Sequence, residues 1–400
     1  MAVTWEEVPR LGWILVKALL RFAFMVANNL VAIPSYVCYV ILLQPLRLLD
    51  SKRFWCIEGI MYKWLLGMVA SWGWHAGYTV VEWGEDVKAI SKDEAVMLVN
   101  HQSTGDVCTL MMCLQDKGMV VAQMMWLMDH IFKYTNFGIV SLIHGDFFIR
   151  QGKSHRDQQL VLLKKHLENN YRSRDRKWIV LFPEGGFLRK RRETSQAFAK
   201  KNNLPFLTHV TLPRVGATQI ILSALVARQE NGSPAGGDAK ELENKSQGLQ
   251  WIIDTTIAYP KGELLDIQTW ILGYRKPTVT HVHYRSPGHG RRLPGIFSRD
   301  PCLASVREDE GPAFRIFPVK DVPLETEDLT NWLYQRFIEK EHLLAHFYET
   351  GAFPPPEGHK EAISREMTLS NVWIFFIQSF AFLSGYMWYS AIQYFYHCLF

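Results

Sequence analysis

Two uncharged stretches near the ends of the chain limit what it can fold into more than any other feature. From Phe22 to Leu43 there is no Asp, Glu, Lys or Arg, and after Glu366 none occurs up to Phe400. A helix over the first stretch rises about 30 Å, the thickness of a bilayer's hydrocarbon core. The pattern predicts a membrane-crossing helix at each end, the second over Val372 to Tyr389. Pro34 is tolerated in such a helix. Gln44-Pro45-Leu46-Arg47 after the first run is unlike a signal-peptidase site, and Glu6 and Glu7 are unlike a mitochondrial presequence. A buried core helix is the alternative reading of the first run. Lys360 and Arg365 precede the second segment and nothing positive follows it, so the domain between is expected to face the cytosol. The flanks of the first segment balance and decide nothing. With 14 tryptophans and 13% aromatic residues the composition suits a chain that meets lipid. Trp64 to Val81, uncharged and rich in Gly and Trp, is expected to be a re-entrant or interfacial helix, with core packing as its alternative.

These landmarks divide the chain into an anchor at 1–50, a domain at 51–366 and a membrane segment at 367–400. Between Glu94 and Phe317, β-rich runs alternate with helical ones: EAVMLV, IVSLIHGDFFI, KWIVLF, IILSALVA, WIIDTTIAY and VTHVHY. Such alternation predicts an α/β domain with a mixed, largely parallel sheet flanked by helices. Active groups should then gather at the carboxyl ends of the strands. Residues 229–247 read as a polar loop without chemistry, 286–314 as an inserted surface loop, and Leu329 to Tyr348 as an amphipathic helix. The net charge of +5 is too modest to point to nucleic acid. Six cysteines form no C-x-x-C pair and no metal-ligand spacing, which reads as reduced thiols and no metal site. There is no P-loop and no GxGxxG fingerprint.

Chemistry concentrates in Asn100 to Asp106, where a strand gives way to a helix and His101 stands five residues before Asp106. A carboxylate on one ring nitrogen fixes the imidazole tautomer and frees the other nitrogen to take a proton near neutral pH. The plainer reading is a helix cap beside an ordinary loop histidine. Gly145 to Arg150 ends an apolar run with an arginine fit to clamp a phosphate, or with a solvated strand end. Phe182-Pro183-Glu184-Gly185-Gly186 stops a strand and lets backbone N–H groups turn outward. Arg189, Lys190, Arg191 and Arg192 follow, then Lys200 and Lys201, suited to phosphates or an anionic membrane, or simply a solvated helix face. Leu212-Pro213-Arg214 closes the next run.

In this order the blocks resemble those of the glycerophospholipid acyltransferases, the 1-acylglycerol-3-phosphate and glycerol-3-phosphate acyltransferases, over about residues 60 to 320. His101 and Asp106 match the family's catalytic His-x4-Asp, and Gly145 and Arg150 its second block. Phe182, Pro183, Glu184 and Gly185 match the third and Leu212-Pro213 the fourth. Gly186 stands where many members carry threonine, and 286–314 has no counterpart in the family. The resemblance implies transfer of a fatty acyl chain from acyl-CoA to a free glycerol hydroxyl of a lysophospholipid in phospholipid remodelling. Lysophosphatidylglycerol is the expected acceptor, with lysophosphatidylethanolamine as a second. His101 would be the base and Asp106 its orienting partner. Gly145, Arg150, Glu184 and Gly185 would bind the acceptor's glycerol-phosphate part, and Arg189 to Arg192 would meet the coenzyme A phosphates or the membrane surface. Acyl-CoA is then a co-substrate and no cofactor or metal is bound. The expected home is the endoplasmic reticulum membrane. Acylation of monoacylglycerol, or a lipid-binding protein without activity, are the alternatives.

Overall fold

The computed structural model describes residues 8–226, 248–285, 316–355 and 362–400. The loops expected at 229–247 and 286–314 lie outside the described residues. The fold is best entered at strand β2 (Ala95–Val99), in which every residue is buried. Only a strand with both faces covered reads as such a continuous apolar run. Its alternate side chains feed two separate cores: Ala95, Met97 and Val99 on one face, Val96 and Leu98 on the other. Strand β5 (Trp178–Leu181) is likewise wholly buried and pairs with it in parallel.

With β1 (Thr79–Gly84), β3 (Met124–Asp129), β4 (Phe147–Ile149), β6 (Trp251–Ala258), β7 (Val279–Tyr284), β8 (Phe317–Pro318) and β9 (Ser364–Met367), these form one sheet. Its order is β4-β3-β5-β2-β6-β7-β1-β9, with β8 paired to β6. Strands β4, β3, β5, β2 and β6 are mutually parallel, whereas β6–β7, β1–β9 and β6–β8 are antiparallel. The sheet is mixed and largely parallel, as the alternation predicts.

Two of the apolar runs are helices instead of strands. Residues Gly138–His144 form α5 and Val215–Leu225 form α8, counting α4 (Gly105–Cys113), α6 (Arg156–His166) and α7 (Leu188–Lys201) with them. In α8 the buried residues Thr218, Ile221, Leu222 and Leu225 recur at three- and four-residue steps, the helical spacing that a short apolar run hides. Glycine at position 145, with φ of 100°, ends α5 before β4 begins. The run MMWLMD, to which the alternation assigns no element, is β3.

Trp64 to Val81 also departs from expectation. It is the second half of a long helix, α3 (Ser51–Ala76), followed by β1, and α3 is packed into the core. Asp50 caps its start by accepting from Arg53 N at 3.0 Å. Its glycines permit close approach: a Cβ on Gly59 would sit 2.5 Å from the Ala122 carbonyl oxygen, and one on Gly73 2.4 Å from the Trp270 ring. The run is uncharged because it is buried in protein.

Among the described residues, the first helix, α1 (Val8–Leu42), which the short α2 (Gln44–Leu49) joins to α3, and the last, α11 (Asn371–Leu399), are the two long and apolar enough to cross a membrane. Their mean hydropathy is 1.7 and 1.2 over their best windows. Those windows are mostly exposed, unlike a core helix. The two pack on each other and on α3. A Cβ on Gly385 would lie 2.5 Å from Val31, and Tyr39 donates to Ser384 Oγ at 2.8 Å while its ring contacts Phe380 and Trp388. On the opposite face of the sheet lie α6, α8 and the amphipathic helix α10 (Thr326–Thr350); the short α9 (Ile267–Leu272) packs against α1 and α3.

Candidate active site

Asn100 follows β2 and continues its pairing with a side chain. Its amide donates to the Ile257 carbonyl at 3.0 Å and accepts from Ile257 N at 2.7 Å, pinning the strand end to β6. The chain then turns through His101 to Thr104 into α4. Ser103 Oγ donates to the Leu265 carbonyl and Thr104 Oγ1 accepts from Ile267 N, so the turn is bolted to the segment leading into α9. Only glycine fits at 105, where a Cβ would come within 1.9 Å of the Leu265 carbonyl oxygen.

This turn brings His101 Nδ1 to 2.9 Å from Asp106 Oδ2. The same oxygen accepts from Gln102 N at 2.7 Å and Ser103 N at 2.9 Å, and the Tyr259 hydroxyl donates to Oδ1. Four donors converge on one fully buried carboxylate. An ionised carboxylate only accepts, so the proton of the pair sits on Nδ1 and the Nε2 lone pair is free. Among the described residues Nε2 has no hydrogen-bond partner. The imidazole is 12% exposed and lies between two rings, Phe182 at 4.1 Å and Phe187 at 4.4 Å between centroids. Burial and the Asp106 carboxylate hold the Tyr259 phenol well above its ordinary value, so it stays a donor.

Glu184 reaches this loop from the turn after β5. Its Oε1 accepts from His101 N at 2.6 Å; its Oε2 accepts from Thr211 N at 2.9 Å and Thr211 Oγ1 at 2.6 Å. The carboxyl is 1% exposed and ties three segments together, each of these contacts going to the protein. Burial pushes it up to about 7 against the pull of those donors. Leu188 N donates back to the His101 carbonyl, so the His101 peptide is held from both sides. Gly185 and Gly186 follow with φ of 68° and 153°, conformations that side chains disfavour.

The remaining expected residues are placed as follows. Arg150 is exposed at the carboxyl end of β4, the same sheet edge as His101, and three inter-strand steps away, roughly 14 Å. Gly145 is not brought to that edge. It lies before β4 as the cap of α5, where its carbonyl accepts from His166 and a Cβ would strike Arg174. Arg189, Lys190 and Arg192 are exposed on the first turns of α7, and Arg191 is half-buried. Sequence patterns do not single out Tyr259, Thr211 or Lys340. Lys340 of α10 is fully buried, pairs with Asp254 and donates to the Thr255 carbonyl at 2.6 Å beneath the β2 and β6 ends. Only its interruption of an apolar helix face could have marked it.

Comparison with known proteins decides the family. Residues 80–224 match the family model described as Acyltransferase, and 313–376 the one described as Acyltransferase C-terminus. Acyl-CoA:lysophosphatidylglycerol acyltransferase 1 of Homo sapiens is 81% identical over the whole of both chains. The chain belongs to the acyltransferase family. Its Mus musculus relative of the same description is 80% identical, again over both full lengths. Lysocardiolipin acyltransferase 1 of Danio rerio is 26% identical over 77% of this acyltransferase and 66% of its own length. As an acyltransferase the chain is an enzyme, and the His101–Asp106 pair within the first matched region becomes the natural place to look for its base.

Proposed function

We propose that this acyltransferase moves a fatty acyl chain from acyl-CoA to a free glycerol hydroxyl of a lysophospholipid, with lysophosphatidylglycerol as acceptor, and that His101 and Asp106 carry the chemistry. The observation behind this reading is the His101–Asp106 pair, with Nδ1 bound to a fully buried carboxylate and Nε2 unpartnered among the described residues. His101 Nε2 takes the proton of the acceptor hydroxyl as its oxygen attacks the thioester carbonyl carbon. Asp106 stabilises the imidazolium that forms. The tetrahedral intermediate expels the thiolate of coenzyme A, and the imidazolium returns its proton to that sulfur. No acyl-enzyme is required. Cys108 and Cys113 are buried, and burial pushes both thiols up to about 12, which suits them to packing and not to nucleophilic attack.

Glu184 enters this proposal as a positioning residue that fixes the His101 peptide, and Gly185 as the turn beside it. Arg150, Arg189, Lys190 and Arg192 are exposed on or near the catalytic edge and would draw anionic substrates or an anionic membrane toward it. The boundaries we favour are an anchor at 1–50, a catalytic domain at 51–366 and a membrane segment at 367–400. The charge pattern around the second segment supports a catalytic domain facing the cytosol, and the family resemblance supports the endoplasmic reticulum.

The test uses microsomes carrying the wild type or His101→Ala, labelled oleoyl- or stearoyl-CoA, and lysophospholipids that differ in headgroup. Transfer that is lost with His101, greatest to lysophosphatidylglycerol, is the expected result. Transfer that survives His101→Ala would refute the mechanism, and a preference for monoacylglycerol would refute the acceptor.

A further inference from the structure

Helix α10 buries Leu329, Leu333, Phe337, Leu344 and Phe347 in two of the cores, as an amphipathic helix should, yet its polar side chains lead toward the loops around His101. Glu341 and Tyr348, both half-buried, stand seven residues apart and so on one side of the helix. Glu341 meets the connection between α7 and α8. Its Oε1 accepts from Thr208 N at 2.7 Å, and its Oε2 accepts from His209 N at 2.7 Å and Val210 N at 3.1 Å. Three successive backbone N–H groups converge on one carboxylate only where the chain is sharply turned, so the charge fixes the shape of that turn. The next residue is Thr211. It leaves the turn with its N–H and its hydroxyl both aimed at Glu184 Oε2, while Glu184 Oε1 holds His101 N. A continuous relay thus runs from α10 to the His101 peptide through Glu341, the 208–211 turn and Glu184.

Tyr348 reaches the other member of the pair. Its hydroxyl donates to Gln102 Oε1 at 3.1 Å, and the Gln102 N–H is one of the donors to Asp106 Oδ2. Gln102 is buried, and its amide nitrogen donates to the Ile257 carbonyl at 3.3 Å, so the side chain bridges β6 and α10 beside the catalytic turn. The Tyr348 ring lies 5.0 Å from the His209 ring between centroids. The two contacts of α10 therefore brace one another.

We propose that Glu341 and Tyr348 are positioning residues for acyl transfer, through which α10 sets the geometry of the His101–Asp106 pair. The inference rests on the reading of His101 as the base. Neither side chain is called on to touch a substrate. Glu341 acts on where the His101 peptide lies, and Tyr348 on how the Gln102 N–H meets Asp106. Both govern the direction of Nε2, and about 1 Å of misplacement costs a catalytic group roughly a hundredfold in rate. The effect belongs to kcat, because substrate contacts are left as they are.

The experiment uses the purified full-length chain in detergent, with acyl-CoA and lysophosphatidylglycerol as substrates. Glu341→Gln should lower kcat about tenfold with both KM values unchanged, as loss of one charge-assisted hydrogen bond implies. Combined with Glu184→Gln, it should bring kcat no more than about twofold below the slower single variant, since both act through one relay. A double variant as slow as the product of the two separate losses would overturn the relay. Backbone hydrogen exchange supplies a second readout: Glu341→Gln should quicken it at 208–211 and also at 101–103, with β5 unaffected. Exchange that quickens at 208–211 alone, at neither segment, or throughout the chain would overturn the proposal. Tyr348→Phe removes a single hydroxyl and keeps the test valid if Glu341→Gln does not fold. It should lower kcat about fivefold with both KM values unchanged. Wild-type kcat, or a raised KM in place of a lowered kcat, would overturn the part given to Tyr348. Exchange is read without catalysis, so if His101 were not the base the rate effects would vanish while the coupling from 341 to 101 remained.

Discussion

Replacing Glu184 with Gln changes one atom of a buried side chain and separates its two jobs. The amide keeps one acceptor oxygen, which best serves the two Thr211 donors, and turns its NH2 toward His101 N–H, now 2.6 Å from a donor in place of an acceptor. Leaving that N–H unpaired costs about 1–3 kcal/mol. If the whole cost appears as misplacement of His101 in the transition state, kcat falls roughly 5- to 150-fold at about 1.4 kcal/mol per tenfold. The variant should also change the pH dependence of stability. Below pH 4.5 the carboxyl is protonated in both states; between 4.5 and about 7 the unfolded chain ionises while the fold keeps its proton. Stability of the wild type should therefore decline as pH rises through this window, by about 3 kcal/mol in total, and level off above it. The amide of the Glu184→Gln variant does not titrate and lacks that contribution. The assays are initial rates with acyl-CoA and lysophosphatidylglycerol, and thermal melts at several pH values in detergent. Wild-type rates together with an unchanged stability slope would refute both the latch and the raised carboxyl.

Tyr259→Phe removes one of the four donors to Asp106 and should lower kcat about 5- to 10-fold, from roughly 1 kcal/mol of lost hydrogen bonding, while leaving KM intact. A lowered Tm with unchanged kcat would make the tyrosine merely structural. Lys340→Met removes one of the two buried cations paired with Asp254, leaving Arg285 at 4.0 Å, and equilibrium unfolding should show a loss of about 3 kcal/mol. Gly385→Leu would drive a side chain into Val31, so crosslinking between cysteines placed in α1 and α11 should fall, with domain activity in detergent less affected.

What could be read from the sequence follows from how local each signal is. The β2, β5, β6 and β7 runs, the His101–Asp106 spacing and both terminal apolar segments are written in contiguous residues, and the structure places each where its pattern implied. Residues 139–149 and 220–227 misled because a short apolar run looks alike in a buried strand and a buried helix. Trp64 to Val81 misled because a helix buried by other protein and one meeting lipid share a composition. Tyr259 lies 153 residues beyond Asp106, and Thr211 lies 27 beyond Glu184. Such meetings depend on the order of strands in the sheet, and no local spacing encodes that order. Glu184 and Gly145 show the same limit differently. Their presence in the blocks was plain, but their contacts with Thr211, His166 and Arg174 were not.

The packing of α1 against α11 has a consequence for how the protein is made. At roughly 5–20 residues per second, ribosomes need about 15–65 s to add the roughly 330 residues between the end of α1 and the start of α11. Throughout that interval Val31 and Tyr39 have no α11 to pack against, and β1 awaits β9 on its outer edge. Helix α1 is thus completed by an element made long after it. A chain halted before residue 371 would present that unfinished flank to any machinery that inspects nascent proteins.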